Sequence, residues 1–365
     1  MPKVSGNASP SRPKSGYLPT LDGWRAIAII AVILNHDVPH YWGFLNTEWV
    51  YAYGQPGVDV FFAISGVLIC SRLLAEEKKS GRISLSSFYI RRAFRILPPA
   101  FLYLLVIALL GALGKIFVYR GELLASLFFY RNYTSLLGHV SGAHQPWFTG
   151  HFWSLSVEEH FYLLLPAVLV FWKGRTRIAI LSGLALAVMA NRAYQLGHRP
   201  WDWISFHTDV RLDALLIPAV FAILLQNEKY KGWIAKFTRL WPVLAVLVCF
   251  IINGDQTTKF WYMTSLVFLF PCLVIGSMLH PATIFGRILE SAPLRYIGKL
   301  SYSLYLWQML FYTGRMYQEK PLGALERWPL NLICTVACAL ASYYLIERPA
   351  IRLGHRFTHA PEVKG

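Results

Sequence analysis

The stretch from Trp24 to His40, WRAIAIIAVILNHDVPH, holds an arginine near its start and a histidine near its end. Ten uncharged residues, nearly all apolar, separate Arg25 from His36, so both belong to a segment that reads as a membrane-spanning helix. Eleven steps of about 100° complete three turns with roughly 20° left over, which puts both side chains on one face, about 16 Å apart along the axis. A cation facing lipid at the bilayer centre costs about 2.5–3.5 kcal/mol or more, so this face turns to the protein interior or to a wet cavity. Ionisable groups in such a position mark a functional site.

Composition points the same way. Of the 365 residues 55% are hydrophobic and 15% charged, against about a quarter charged in soluble domains. The net charge is +16, but the basic residues are dispersed between apolar blocks and do not stripe one face, which argues against nucleic acid. Cys70, Cys249, Cys272, Cys334 and Cys338 all fall inside apolar blocks with no CxxC pair, so neither a disulfide framework nor zinc is indicated. Residues 1–16 are polar and rich in Ser, Pro and Gly. Without an apolar run before a cleavage site they read as a disordered cytoplasmic leader, not a signal peptide.

The apolar blocks predict an all-α, polytopic transmembrane bundle of about ten spanning helices. They lie near residues 21–40, 57–74, 96–118, 151–172, 177–195, 209–226, 240–253, 260–280, 300–317 and 329–346. With the N-terminus inside, the inner segments hold 24 Lys and Arg and the outer segments 10. By the positive-inside rule both termini are cytoplasmic, and the arginine end of the first helix lies inside with His36 deeper toward the outside.

Four further blocks carry candidate chemistry. GVDVFFAISGVLI, Gly57 to Ile69, contains Asp59 and Ser65. Its small residues suit close helix packing, a reading that outweighs a ligand role for Ser65. Asp59 at the helix mouth suits a cap or a catalytic carboxylate equally. FYIRRAFRILPPA, Phe88 to Ala100, places Arg91, Arg92 and Arg95 just before a spanning helix. Lysine would serve topology as well, whereas the fork of arginine binds phosphate, so these three form a candidate anion site. HFWSLSVEEHFYLLLP, His151 to Pro166, brings Glu158, Glu159 and His160 to the mouth of a span. A metal held by His151, Glu158 and His160 lacks the i, i+4 histidine pair; a carboxylate that orients His36 fits better. In TDVRLDALLIPA, Thr208 to Ala219, Arg211 with Asp209 or Asp213 reads as an ion pair ahead of a substrate contact. Glu347 and Arg348, before Pro349, read as a helix end.

Together these blocks resemble the acyltransferase-3 family of integral-membrane O-acyltransferases, which decorate bacterial surface and secreted glycans. The resemblance runs from about Tyr17 to Leu353. Arg25 and His36 match its R-x10-H, Gly57 to Gly66 its G-V-D-x-F-F-x-I-S-G, and Arg91, Arg92, Arg95 and Pro98 its arginine-rich block. Trp153 to Tyr162 match W-S-L-x-V-E-E-x-F-Y, and Glu347 to Pro349 the terminal E-R-P. Two positions depart: Phe94 stands where many relatives have a basic residue, and Gln308 where many have histidine, which argues against a catalytic role at 308 here.

The resemblance implies a membrane acyltransferase domain over residues 17–353 with a cytoplasmic tail over 354–365 and no fused extracytoplasmic domain. It implies a multi-pass protein of the bacterial inner membrane that moves an acyl group, by default acetyl, from cytoplasmic acyl-CoA to a hydroxyl of an extracytoplasmic glycan or glycolipid. No cofactor or metal is expected. Arg91, Arg92 and Arg95 would hold CoA phosphates, with Asp59, Ser65 and Arg211 as further substrate-binding candidates. His36 would act as general base or as transient acyl carrier, Glu158 as its carboxylate partner, and Arg25 on the electrostatics of the cavity or the donor. The rival reading from another class is a transporter or flippase of a lipid-linked sugar, in which the intramembrane charges would mark a substrate path.

Overall fold

The computed structural model describes residues 18–37, 56–134, 148–199, 204–253, 259–312 and 321–358, and among them the regular structure is entirely helical. The principal helices are α1 (Pro19–Asp37), α2 (Gly57–Ser80), α3 (Leu85–Ala112), α4 (Phe152–Phe171), α5 (Gly174–Leu196) and α6 (Asp213–Leu224). They continue with α7 (Trp241–Asn253), α8 (Lys259–Leu279), α9 (Ala292–Phe311), α10 (Leu330–Ser342) and α11 (Arg348–Thr358). Residues 1–17 and 359–365, which include the expected leader, lie outside the described residues.

Each expected span coincides with a helix, but among the described residues six helices are long and apolar enough to cross a membrane: Gly57–Ser80, Leu85–Ala112, Phe152–Phe171, Glu228–Cys249, Phe260–Leu279 and Leu330–Thr358. Asp213–Leu224 is apolar but short. The outer wall has the chemistry of a lipid face. Phe101, Leu105, Leu109 and Leu113 recur every fourth residue along α3, and all are exposed, a stripe that water would penalise and hydrocarbon accepts.

Two expected boundaries move. α3 begins at Leu85, where the Ser84 hydroxyl caps the helix by accepting from the Ser87 N–H at 3.3 Å. Arg91, Arg92 and Arg95 are therefore inside this helix and not ahead of it, and Pro98 and Pro99 are carried in its interior. Nor is Glu347–Arg348 a helix end. A π-turn over Tyr343–Glu347 feeds directly into α11, and the helix runs on through Pro349.

Backbones meet where side chains are absent. α1 packs along α9, and α2 along α6. A Cβ on Gly66 would sit 2.5 Å from the Leu215 carbonyl oxygen, and one on Gly298 would overlap the backbone of Asp22. The small residues of the Gly57–Gly66 block thus serve close packing, which sets α1, α2 and α9 around a shared interior. That interior is lined by two apolar clusters. One centres on Phe62, Leu73, Phe161 and Leu215, the other on Ile29, Tyr103, Phe152 and Leu306.

Candidate active site

A cavity opens between α1, α2, α3, α4 and α9. Because these helices alternate in direction, residue order gives depth. At one end stand Arg25 of α1, Arg72 of α2, and Arg92 and Arg95 of α3. Ser65, Glu158 and Tyr162 form the middle, and Val58, Phe61, Ser154 and Tyr305 the far end. An adjoining cavity shares Ile69, Arg72, Arg92 and Arg95 and adds Arg91, Glu76, Ile351 and His355. The two make a continuous basic track.

Its charges are unbalanced. Arg25 pairs with Asp22 at 2.9 Å and Arg91 with Glu76 at 3.3 Å. Among the described residues, Arg72, Arg92 and Arg95 form no ion pair. Arg92 instead lies over the Tyr162 ring, 3.8 Å from its centroid, and its buried Nε has no hydrogen-bond partner. Gathered guanidiniums repel one another in a low-dielectric site, and an anion of fork-compatible shape relieves that repulsion.

Among the described residues Glu158 is the one carboxylate lining the main cavity. The Ser65 hydroxyl donates to its Oε1 at 3.0 Å and the Tyr162 hydroxyl to its Oε2 at 2.9 Å. Glu159, its neighbour, does not line this space. One turn farther along, the Ser154 and Tyr305 hydroxyls lie 2.6 Å apart, and Tyr305 donates to the His151 carbonyl at 3.0 Å.

His36 stands beyond that end. Its Nδ1 is 2.8 Å from the Val32 carbonyl oxygen. A carbonyl can only accept, so Nδ1 carries the proton and Nε2 is left as the basic nitrogen. Gln308 lies one turn beyond Tyr305 along α9, with its Nε2 donating to the Tyr305 carbonyl at 3.3 Å. Glu158 and His36 therefore do not pair as expected: the carboxylate is held by Ser65 and Tyr162, and the imidazole by the Val32 carbonyl. Ser65 is placed in the cavity after all, as a donor to Glu158.

The remaining candidates lie elsewhere. Arg211 pairs with Asp59 at 2.6 Å, and Arg192 with Asp213 at 2.8 Å. The partner of Arg211 is thus neither Asp209 nor Asp213, and Asp59 serves this bridge, not a helix cap. Asp209 accepts from Tyr133, Asn191 and Gln195. His160 bonds Thr208, so His151, Glu158 and His160 turn to different neighbours and do not gather as a metal site. Two residues of the cavity lining were not singled out in the sequence. Arg72 had a signal, since it lies seven residues from Ser65 on the same helix face; Tyr305 had none beyond its block.

The chain belongs to the acyltransferase-3 family: the acyltransferase domain that defines it matches residues 18–347. It is similar to a candidate O-acetyltransferase of Staphylococcus aureus (strain COL), 33% identical over 92% of this chain and 58% of the relative. It is also similar to the O-acetyltransferase OatA of Staphylococcus aureus (strain NCTC 8325 / PS 47), 30% identical over 96% of this chain and 60% of the relative. The chain thus spans about 60% of the length of the curated relatives it matches. No solved structure matches it. With its six apolar helices, it is a multi-pass membrane protein of an acyltransferase family.

Proposed function

We propose that this chain takes an acetyl group from cytoplasmic acetyl-CoA and delivers it to a hydroxyl of an extracytoplasmic glycan or glycolipid. The observation that carries the reading is the basic track: three guanidiniums without carboxylate partners converge at one end of a cavity whose far end, at Ser154 and Tyr305, adjoins His151, which is within electrostatic reach of His36. The names of the relatives support acetyl as the acyl group. On this reading Arg72, Arg92 and Arg95, with Arg91 at the adjoining cavity and Arg25 deeper in, hold the phosphates of the donor. The pantetheine arm runs past Ser65 and Glu158 toward Tyr305.

His36 is then the general base. Its Nε2 takes the proton of the acceptor hydroxyl as the oxygen bonds to the thioester carbon. The carbon–sulfur bond breaks, and the thiolate leaves with that proton as the free thiol of CoA. Lysine and arginine placement supports about ten spans, both termini in the cytoplasm and the inner membrane as the location. Asp59 and Arg211 enter as a pair that pins α2 to the short helix Thr208–Arg211 ahead of α6, and Glu158 as the countercharge of the cavity.

The experiment uses the purified chain in detergent or vesicles with radiolabelled acetyl-CoA and envelope glycans as acceptors. Label in the glycan, lost when the acceptor is omitted, is the expected result. Movement of a lipid-linked sugar across vesicles without transfer of label would replace this reading with transport.

A further inference from the structure

His151 is the second candidate for chemistry at the far end of the cavity. Its side chain is 3% exposed, and neither Nδ1 nor Nε2 has a hydrogen-bond partner among the described residues. The ring is held edge-on by Tyr103, Phe152 and Tyr305, with centroids 5.2, 5.0 and 5.4 Å away. Phenylalanine would fill such a cage without leaving buried polar atoms unmet, so an imidazole there calls for a partner that arrives from outside. Its placement says where that partner would be. His151 lies one turn outward of Ser154, which lines the cavity, and its ring is within electrostatic reach of His36. Other unmet buried atoms occur at the same end of the helices: the indole Nε1 of Trp307, whose neighbour Tyr103 also touches His151, and the amide Oε1 of Gln308.

We propose that His151 is an electrophilic catalytic residue, a neutral imidazole whose N–H donates to the thioester carbonyl oxygen while His36 takes the acceptor proton. This rests on the acyltransferase reading above. In the step, the hydroxyl oxygen bonds to the carbonyl carbon, the carbonyl π electrons move to oxygen, and His151 N–H holds the resulting oxyanion. Collapse re-forms the carbonyl, breaks the carbon–sulfur bond and sends the proton from His36 to sulfur. His151 neither gains nor loses a proton over the cycle. An apolar cage keeps an imidazole neutral, and a fixed neutral donor in a dry site stabilises charge without reorganisation.

The test compares His151→Phe and His151→Gln with wild type in the acetyl-CoA assay, together with thermal unfolding and the KM for acetyl-CoA. Phenylalanine keeps the packing and removes the donor. The expected result is a kcat lower by about 10² to 10³, with an unchanged KM and an unfolding temperature no lower than wild type. Glutamine, which restores an N–H, should recover part of the kcat. A His151→Phe enzyme with wild-type kcat would overturn the proposal. So would a loss matched by a lower unfolding temperature and a failure of His151→Gln to recover anything, since that pattern belongs to packing. If wild type itself transfers no acetyl group, the acyltransferase reading fails instead, and the two failures are thereby told apart.

Discussion

The guanidinium of Arg92 lies 3.8 Å from the centroid of the Tyr162 ring, and the hydroxyl of that same ring donates to Glu158 at 2.9 Å. The tyrosine thus bridges the two signs of charge in the cavity. The cation rests on its face, where the ring quadrupole attracts it, and the carboxylate meets its edge. Arg92 is kept close to Glu158 without an ion pair that would consume its hydrogen-bonding edge, which stays free for a ligand.

Removing Arg92 or Arg95 should therefore act on donor binding. A contact equally strong in ground and transition states raises KM when lost and leaves turnover nearly unchanged. Hydrogen bonds to charged groups are worth roughly 1.5–3 kcal/mol, so Arg95→Ala should raise the acetyl-CoA KM about tenfold or more. Arg72→Ala belongs to the same class, and Arg95→Lys should rescue only in part because the planar fork is gone. Steady-state kinetics at varied acetyl-CoA checks this; full rescue by lysine with an unchanged KM in the alanine variant would reduce the arginines to topology markers.

Glu158 and Glu159 are adjacent in sequence, but only Glu158 lines the cavity. Glu158→Gln removes the countercharge of the cavity and should lower kcat/KM about tenfold or more, on the scale of a lost hydrogen bond to a charged group, while Glu159→Gln stays close to wild type. Parallel turnover measurements on the two variants decide the matter, and a reversed order would move the working carboxylate out of the cavity.

Asp59 and Arg211 form a buried pair, 2.6 Å apart. Asp59→Ala leaves a buried guanidinium without its countercharge, a loss of about 3–5 kcal/mol. Replacing both, as Asp59→Leu with Arg211→Met, removes the stranded charge and should restore most of that stability. Thermal unfolding in detergent measures it. A double variant no more stable than Asp59→Ala would show that the pair does more than hold α2 against the helix Thr208–Arg211.

Gly66 tests the packing. With a Cβ only 2.5 Å from the Leu215 carbonyl, Gly66→Val must push α6 away from α2, and little folded protein should be recovered. Gly183 has no neighbour within 4 Å, so Gly183→Ala in the middle of α5 should be neutral or stabilising by up to about 1 kcal/mol. Size-exclusion profiles of the two variants make the comparison.

Local spacing made part of this architecture legible. The eleven-step spacing from Arg25 to His36 put both groups on one face of α1, where Arg25 lines the cavity, and the small residues around Gly66 announced close contact. What spacing could not give were contacts between distant segments. Asp59 and Arg211 are 152 residues apart in the chain, and Ser65 reaches Glu158 across 93; no periodicity links such pairs. The start of α3 was missed for a physical reason. Arg91, Arg92 and Arg95 lower the hydropathy of its first turns, yet they belong to a continuous helix because they face cavities and not lipid. The departure at Gln308 argued against a catalytic role there; the side chain is fully buried.

Turnover by His36→Ala is the most direct test of acyl transfer at this cavity. Purified wild type and variant, at saturating acetyl-CoA and glycan acceptor, should differ in kcat by about 10² to 10⁴, the usual contribution of a general base, while both bind acetyl-CoA with the same affinity. Near-normal turnover in the variant would remove His36 from the reaction and contradict the mechanism.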